Sequence, residues 1–187
     1  MGQSIEVTPL FSAAETLATP VIVEALRAGR SVPLRVTGHS MAPFLSPGQR
    51  VLLAHCSAQS LKAGDLVAFE RGCRVVLHRV LAVHSGTVIE KGDNVRQETA
   101  VAQKQILGRA VAVLGPRTVS LMQPRHRASG RWLARLSAWH GCIHRYAANR
   151  CRAARPLARA STLLLRFTAK LVRPAPLPTL PPPVGGG

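Results

Sequence analysis

Residues 32–43 read VPLRVTGHSMAP. This stretch contains the first predicted strand and the turn that follows it. Val32, Leu34 and Val36 are apolar and alternate with polar positions, which predicts a strand with one buried face. The segment from Gly38 to Pro43 is expected to end that strand, because glycine and proline favour turns. Ser40 is therefore predicted to lie just beyond the end of a strand.

More β-type segments follow this turn, each bounded by residues typical of turns. They are Arg50–His55, Leu66–Glu70, Arg74–His84, Thr87–Lys91 and Leu107–Leu114. Short strands at this spacing predict a mostly β fold, in the form of a compact antiparallel sheet or barrel. Gly115-Pro116 is predicted to end this domain.

Helices are expected on both sides of the β segments. Residues 9–29 have an apolar side, and Ser12 with Glu15 fits a capping box at the helix start. Residues 131–150 and 157–172 are predicted to form basic amphipathic helices. Residues 174–187 are mostly proline and glycine and are predicted to be a disordered tail. The chain thus divides into a helical segment (1–30), a β domain (31–116), a helical extension (117–173) and the tail.

Charge is distributed unevenly along the chain. All eight acidic residues lie at or before Glu98, whereas 13 of the 25 basic residues lie in residues 117–187. That part carries +13, against +4 for residues 1–116. A purely basic region is attracted to polyanions such as lipid head groups, nucleic acid or an acidic protein. Nucleic acid is the less favoured partner, because the residues before the first strand are too few for a helix-turn-helix unit.

Several functional classes are disfavoured by the composition. No apolar run approaches the ~20 residues that a membrane-spanning helix needs, and the N-terminus lacks a signal-peptide pattern. A cytoplasmic location is therefore expected. The four cysteines, Cys56, Cys73, Cys142 and Cys151, form no CxxC pair, so neither a zinc site nor a disulfide framework is indicated. No cofactor is expected.

Four short motifs suggest chemistry at Ser40. They are Gly38-x-Ser40-Met41-x-Pro43, the segment GDLVAF at residues 64–69, His78-Arg79-Val80, and Gly92-Asp93-Asn94. A serine hydroxyl becomes a good nucleophile only beside a base, so the motifs matter as a set. In this order they resemble the type I signal peptidases, over roughly residues 32–113.

The resemblance implies a serine endopeptidase in which Ser40 is the nucleophile and His78 is the general base. A histidine before Arg-Val is typical of the archaeal and endoplasmic-reticulum branch, whereas the bacterial enzymes have lysine there. In the histidine enzymes an aspartate shortly after Gly-Asp-Asn orients the histidine, but here Glu98 is the acid in that stretch. The sequence therefore predicts that Asp93 or Glu98 orients His78. A second departure from the family is Gln49, where an aspartate is usual.

The resemblance also implies a peptide or protein substrate that lies alongside a strand edge, with small residues before the cleaved bond. The alternative hypothesis is a non-catalytic module that keeps the fold and binds membrane or nucleic acid through its basic C-terminal region. For the two C-terminal helices, peripheral membrane contact is favoured over packing on the protein itself. Trp132 and Trp139 beside arginines suit the boundary of a bilayer.

Overall fold

An eight-stranded antiparallel sheet forms the centre of the protein, as seen in a computed structural model that describes residues 13–150 and 155–172. The strand order is β1-β2-β7-β3-β4-β5-β6, with β8 paired to β7. The strands are β1 (Val32–Arg35), β2 (Arg50–Ala54), β3 (Leu66–Arg71), β4 (Arg74–His84), β5 (Thr87–Lys91), β6 (Thr99–Ala102), β7 (Ile106–Leu114) and β8 (Val119–Ser120). The helices are α1 (Ala13–Arg27), α2 (Pro124–Arg150) and α3 (Arg155–Leu171).

The fold predicted from the sequence is confirmed. An antiparallel β domain is flanked by one N-terminal helix and two C-terminal helices, and β4 and β5 begin and end at the predicted residues. Two short strands were not predicted, β6 and β8, and β8 lies beyond the boundary expected at residue 116. The predicted tail at 174–187, Ser12 and Cys151 lie outside the described residues.

Apolar side chains pack on both faces of the sheet. On one face, Leu66, Leu77 and Leu107 form a core with residues of the turn after β1 and of all three helices. On the other face, Val67, Phe69 and Val80 form a smaller core with strands β5 and β6. Two buried faces explain why β3 reads as the nearly continuous apolar run LVAF rather than as a strict alternation.

The C-terminal helices pack on the domain, so the interpretation that favoured membrane contact over self-packing is wrong for their inner faces. Leu133 of α2 and Leu165 and Ala169 of α3 are buried in the larger core. Burial of such side chains is a strong driving force, worth roughly 1.5–3 kcal/mol for each large one. Their outer faces still carry exposed apolar side chains, including Trp132 and Trp139.

Polar contacts also fix these helices to the sheet. The buried Lys91 ammonium group at the end of β5 donates to the Ser137 hydroxyl at 2.9 Å and to its carbonyl at 3.1 Å. Lys91 Nζ also lies 3.3 Å from His140 Nδ1, and His140 Nε2 lies 2.9 Å from Thr162 Oγ1 on α3. One chain of hydrogen bonds therefore links β5, α2 and α3.

Helix α2 crosses the turn before β3 at two glycines. A Cβ atom added to Gly64 would lie 2.4 Å from the backbone of Gly130 and Arg131, and one added to Gly130 would lie 2.7 Å from the Gly64 carbonyl oxygen. Only glycine permits so close an approach of two backbones. Gly64 also has φ +99°, a conformation that other residues adopt at a cost.

Across the described ranges, no helix combines the length and the apolar character needed to span a membrane.

Candidate active site

The turn that carries Ser40 is anchored by apolar side chains. Met41, Phe44 and Leu45 are buried in the larger core, while Ser40 itself is only half-buried. The backbone N–H of Leu45 donates to the Met41 carbonyl at 2.9 Å, which tightens the turn. Because its neighbours point inward, the turn holds Ser40 in a fixed position at the surface of the domain.

Gln49 stabilises the same segment. Its side-chain oxygen accepts a hydrogen bond from the Ser46 backbone N–H at 2.7 Å, and its backbone pairs with Val36. An aspartate at this position could accept the same kind of bond. The departure at Gln49 therefore leaves the turn intact.

His78 lies near the middle of β4, in an apolar and nearly buried environment. Its Nδ1 atom is 2.5 Å from Oε2 of Glu90 on β5, and its ring packs edge-on against Phe69 with centroids 5.9 Å apart. An ionised carboxylate accepts hydrogen bonds only, so the Glu90 contact places the imidazole proton on Nδ1. Nε2 is then the nitrogen with a free lone pair, as a general base requires.

Glu90 is itself fixed by a second hydrogen-bonding partner, Arg71. Its side chain is 1 % exposed, and Oε1 accepts a hydrogen bond from Arg71 Nη2 at 2.9 Å. A buried carboxylate is costly unless it is paired, and here one oxygen faces Arg71 while the other faces His78. The carboxylate is thus held in one orientation against the imidazole.

The acid that orients His78 is therefore Glu90, and the prediction of Asp93 or Glu98 is wrong on this point. Asp93 accepts two hydrogen bonds from Arg79, at 2.8 and 2.7 Å, and both side chains are buried. Glu98 lies half-buried just before β6. Because Glu90 already occupies His78 Nδ1, neither of the other acids serves that nitrogen.

Asp93 and Arg79 instead hold the loops of the site together. Arg79 also donates to the Gly64 carbonyl at 3.0 Å, and its guanidinium group stacks 4.6 Å from the centre of the Phe44 ring. The backbone N–H of Asn94 donates to the Ser40 carbonyl at 2.7 Å. The Gly-Asp-Asn loop is therefore tied to the Ser40 turn on one side and to β4 on the other.

Gly92 brings the Ser40 turn and His78 together. A Cβ atom added at this position would lie 2.7 Å from the Ser40 carbonyl oxygen and 3.0 Å from His78 Nε2. The Ser40 carbonyl oxygen and His78 Nε2 therefore both lie next to Gly92, in space that a side chain at position 92 would fill. His78 Nε2 therefore lies close to the Ser40 turn.

Within the described residues, the structure has no hydrogen bond between Ser40 Oγ and His78. Catalysis by this pair would require Ser40 Oγ and His78 Nε2 to come within hydrogen-bonding distance. Such contacts are often long in the absence of substrate and tighten when substrate binds.

A groove of about 360 Å³ leads to Ser40. It is lined by β1, by the first half of β4 and by the Ser40 turn, with mostly apolar side chains that include Leu34, Met41 and Val75. Strand β1 pairs only with β2, and β5 joins β4 only from Arg79 onward. Within the described part of the chain, β1 and residues 75–77 of β4 therefore each keep one edge without a strand partner, and both line this groove.

The described residues include no cluster of three or more potential metal ligands. His39, His55 and His84 are all exposed, in contrast to the buried His78.

Comparison with known proteins yields no assignment. The chain matches no protein-family model, and a search of curated proteins finds no significant match. The resemblance to signal peptidases therefore rests on the four sequence motifs.

Sequence reasoning missed Glu90, although one signal pointed to it. Glu90 is an acid inside the otherwise apolar strand segment VIE, directly before Lys91-Gly92-Asp93. An acidic residue in a buried strand needs a charged or hydrogen-bonding partner, so the position of Glu90 made it a candidate for the acid that contacts His78.

Proposed function

We propose that this protein is a serine endopeptidase similar to the signal peptidases, with Ser40 as nucleophile, His78 as general base and Glu90 as the orienting acid. The observation that carries the proposal is the position of His78. Its Nδ1 contacts a buried carboxylate, and its Nε2 faces the Ser40 turn across Gly92. A base oriented in this way is the central requirement of a serine peptidase.

In the proposed reaction, Ser40 Oγ attacks the carbonyl carbon of the scissile peptide bond while His78 Nε2 takes the hydroxyl proton. Glu90 stabilises the imidazolium ion that forms, and the Ser40 backbone N–H contributes to an oxyanion hole. His78 then gives the proton to the leaving amine as the C–N bond breaks. Water hydrolyses the acyl-enzyme by the same steps in reverse and restores the Ser40 hydroxyl.

The groove supports an extended peptide as the substrate. Two strand edges line it, and an unpaired edge offers backbone N–H and C=O groups to a peptide that adds as a further strand. The apolar lining near Ser40 suits small, uncharged side chains just before the cleaved bond. Small residues before the cleaved bond are also what the resemblance to signal peptidases implies.

Cleavage of a library of Ala-x-Ala peptides by the full chain tests the proposal. Ser40→Ala and His78→Ala are expected to remove cleavage, because each eliminates an essential step. A matched control is His84→Ala, at the exposed end of the same strand, which is expected to keep the wild-type rate. Equal cleavage by wild type and Ser40→Ala would refute the assignment.

A second candidate is a peptide-binding module without catalysis. The apolar groove and its two strand edges favour it, because they could hold an extended peptide whether or not Ser40 is reactive. Calorimetric titration of the same peptides distinguishes the two. Binding without cleavage, unchanged in Ser40→Ala, supports the module.

We also propose that the protein works in the cytoplasm. Cys56, Cys73 and Cys142 are free thiols, which is typical of a reducing compartment. Fractionation of cells that express the full chain, with soluble and membrane fractions assayed separately, tests this location.

A further inference from the structure

Helix α3 presents two different apolar faces. Its inner face, with Leu165 and Ala169, is buried against the domain. Its outer face carries four large apolar side chains that are 47–70 % exposed: Leu163, Leu164, Phe167 and Leu171. They follow one another at helical spacing and so share one side of the helix. This patch, called here the α3 outer face, is not needed to hold α3 in place.

Basic side chains border the α3 outer face on one side. Arg159, Arg166 and Lys170 are exposed and lie seven and then four residues apart, which places them in a neighbouring stripe along the helix. In the sequence, no acidic residue follows Glu98. An apolar stripe next to a purely cationic one is the pattern of a helix that lies in the plane of an anionic bilayer.

We propose that the α3 outer face binds the surface of an anionic membrane, with its apolar side chains in the acyl boundary and its basic stripe among the lipid phosphates. Charge complementarity favours an anionic membrane over other binding partners. A second copy of the chain would bring two cationic surfaces together. Duplex DNA would engage the arginines but would leave the four apolar side chains in water.

The same helix lies next to the candidate active site. Arg166 Nη2 donates to the Asn94 side-chain oxygen at 3.0 Å, and the Asn94 backbone N–H donates to the Ser40 carbonyl at 2.7 Å. A membrane bound by α3 would therefore be close to the Ser40 turn. If the proposed peptidase function holds, the substrates are segments of chain close to a membrane surface. The binding itself does not depend on that function.

Flotation of the full chain with vesicles tests the proposal. Vesicles of phosphatidylcholine mixed with phosphatidylserine are expected to bind the protein at low salt and to release part of it at high salt, whereas pure phosphatidylcholine binds far less. The variant carrying L163Q, L164Q, F167Q and L171Q is expected to lose at least about tenfold in affinity, because it keeps helix propensity but removes the apolar anchor. Val21→Gln, an equally exposed position on α1, is the control and is expected to bind like wild type.

The charge stripe is tested separately with Arg159→Gln and Lys170→Gln combined, which leaves the Arg166 contact intact. Each charge near an anionic surface contributes about fivefold in affinity, so the double variant is expected to lose about 25-fold at low salt. Circular dichroism checks that each variant is folded. If the variant with four substitutions is unstable, Phe167→Gln alone replaces it, and a smaller loss of vesicle affinity is then expected. Wild-type binding by these variants would overturn the proposal. So would a tight complex with duplex DNA and none with vesicles, or a dimer that the variant with four substitutions abolishes.

Vesicle binding is measured without any cleavage. A protein that fails to bind vesicles would therefore refute the membrane proposal and leave the peptidase assignment untouched. An inactive Ser40→Ala protein is expected to float with anionic vesicles like wild type.

Discussion

His78 on β4 and Glu90 on β5 share one face of the hairpin, with Nδ1 of the imidazole 2.5 Å from the carboxylate. Arg71 contacts the second oxygen of the same carboxylate. Glu90 is buried, and its two protein partners fix its geometry. The imidazole is in turn fixed with Nε2 toward the Ser40 turn.

Replacing Glu90 should reduce turnover far more than replacing the other nearby acids. Glu90→Gln keeps the shape and a contact to Arg71, but a neutral amide cannot stabilise the imidazolium ion. We expect kcat to fall by about 10³–10⁴-fold. Glu98→Gln is expected to keep the wild-type kcat, measured on the same peptide. A comparable loss in both variants would contradict the assignment of Glu90.

Any side chain at position 92 should disrupt the site. In Gly92→Ala the added carbon would lie 2.7 Å from the Ser40 carbonyl oxygen and 2.8 Å from a Val95 methyl group, so the loop must move. We expect loss of cleavage together with a lower melting temperature. Gly38→Ala is the stability control, because its added carbon meets nothing within 4 Å. Wild-type activity in Gly92→Ala would show that Ser40 and His78 do not need this close approach.

Asp93 should matter for stability rather than for orienting the base. Asp93→Ala leaves the buried Arg79 guanidinium group without its carboxylate, and the expected cost is about 3–5 kcal/mol in the free energy of unfolding. The exposed ion pair of Arg27 and Glu70 provides the comparison, since Glu70→Ala is expected to cost at most about 1 kcal/mol. Urea denaturation measures both. Similar costs for the two variants would argue against a buried, structural Asp93.

Cys73 offers a chemical test of the groove. It is an exposed thiol in the lining, so a bulky maleimide attached there should block peptide access to Ser40. Burial raises the pKa of the Cys56 thiol, which leaves little reactive thiolate at neutral pH. We expect the reagent to inhibit the wild type but not Cys73→Ser. Inhibition of both proteins would mean that another residue is responsible.

The crossing of α2 over the Gly64 turn should depend on glycine. Gly64→Ala adds a carbon 2.4 Å from the α2 backbone, whereas Gly72→Ala adds one in open space, and both residues have positive φ. Both variants place a non-glycine residue at positive φ, at a cost of about 1–2 kcal/mol, but only Gly64→Ala also pushes against α2. Hydrogen exchange in residues 130–143 is expected to rise in Gly64→Ala alone. Equal protection in the two variants would show that the crossing tolerates a side chain.

Most of the strands and helices follow from local sequence patterns. Alternating apolar residues and glycine-bounded turns gave the antiparallel strands, including both ends of β4 and β5, because side-chain period and turn chemistry are local properties. The position of Ser40 just beyond a strand followed from the same reasoning. The apolar periodicity of α2 and α3 also predicted two helices. The sequence does not distinguish an apolar helix face that packs on the domain from one that binds lipid.

Tertiary structure alone decided which acid meets His78. A regular hairpin around Ser85-Gly86 would place Glu90 opposite Leu81, on the face away from His78. The register instead shifts between Val80 and Ala82, so that Glu90 pairs with Val80 and shares the face of His78. A one-residue shift moves side chains to the other face of a sheet, and such a bulge depends on packing across the whole sheet rather than on the local sequence.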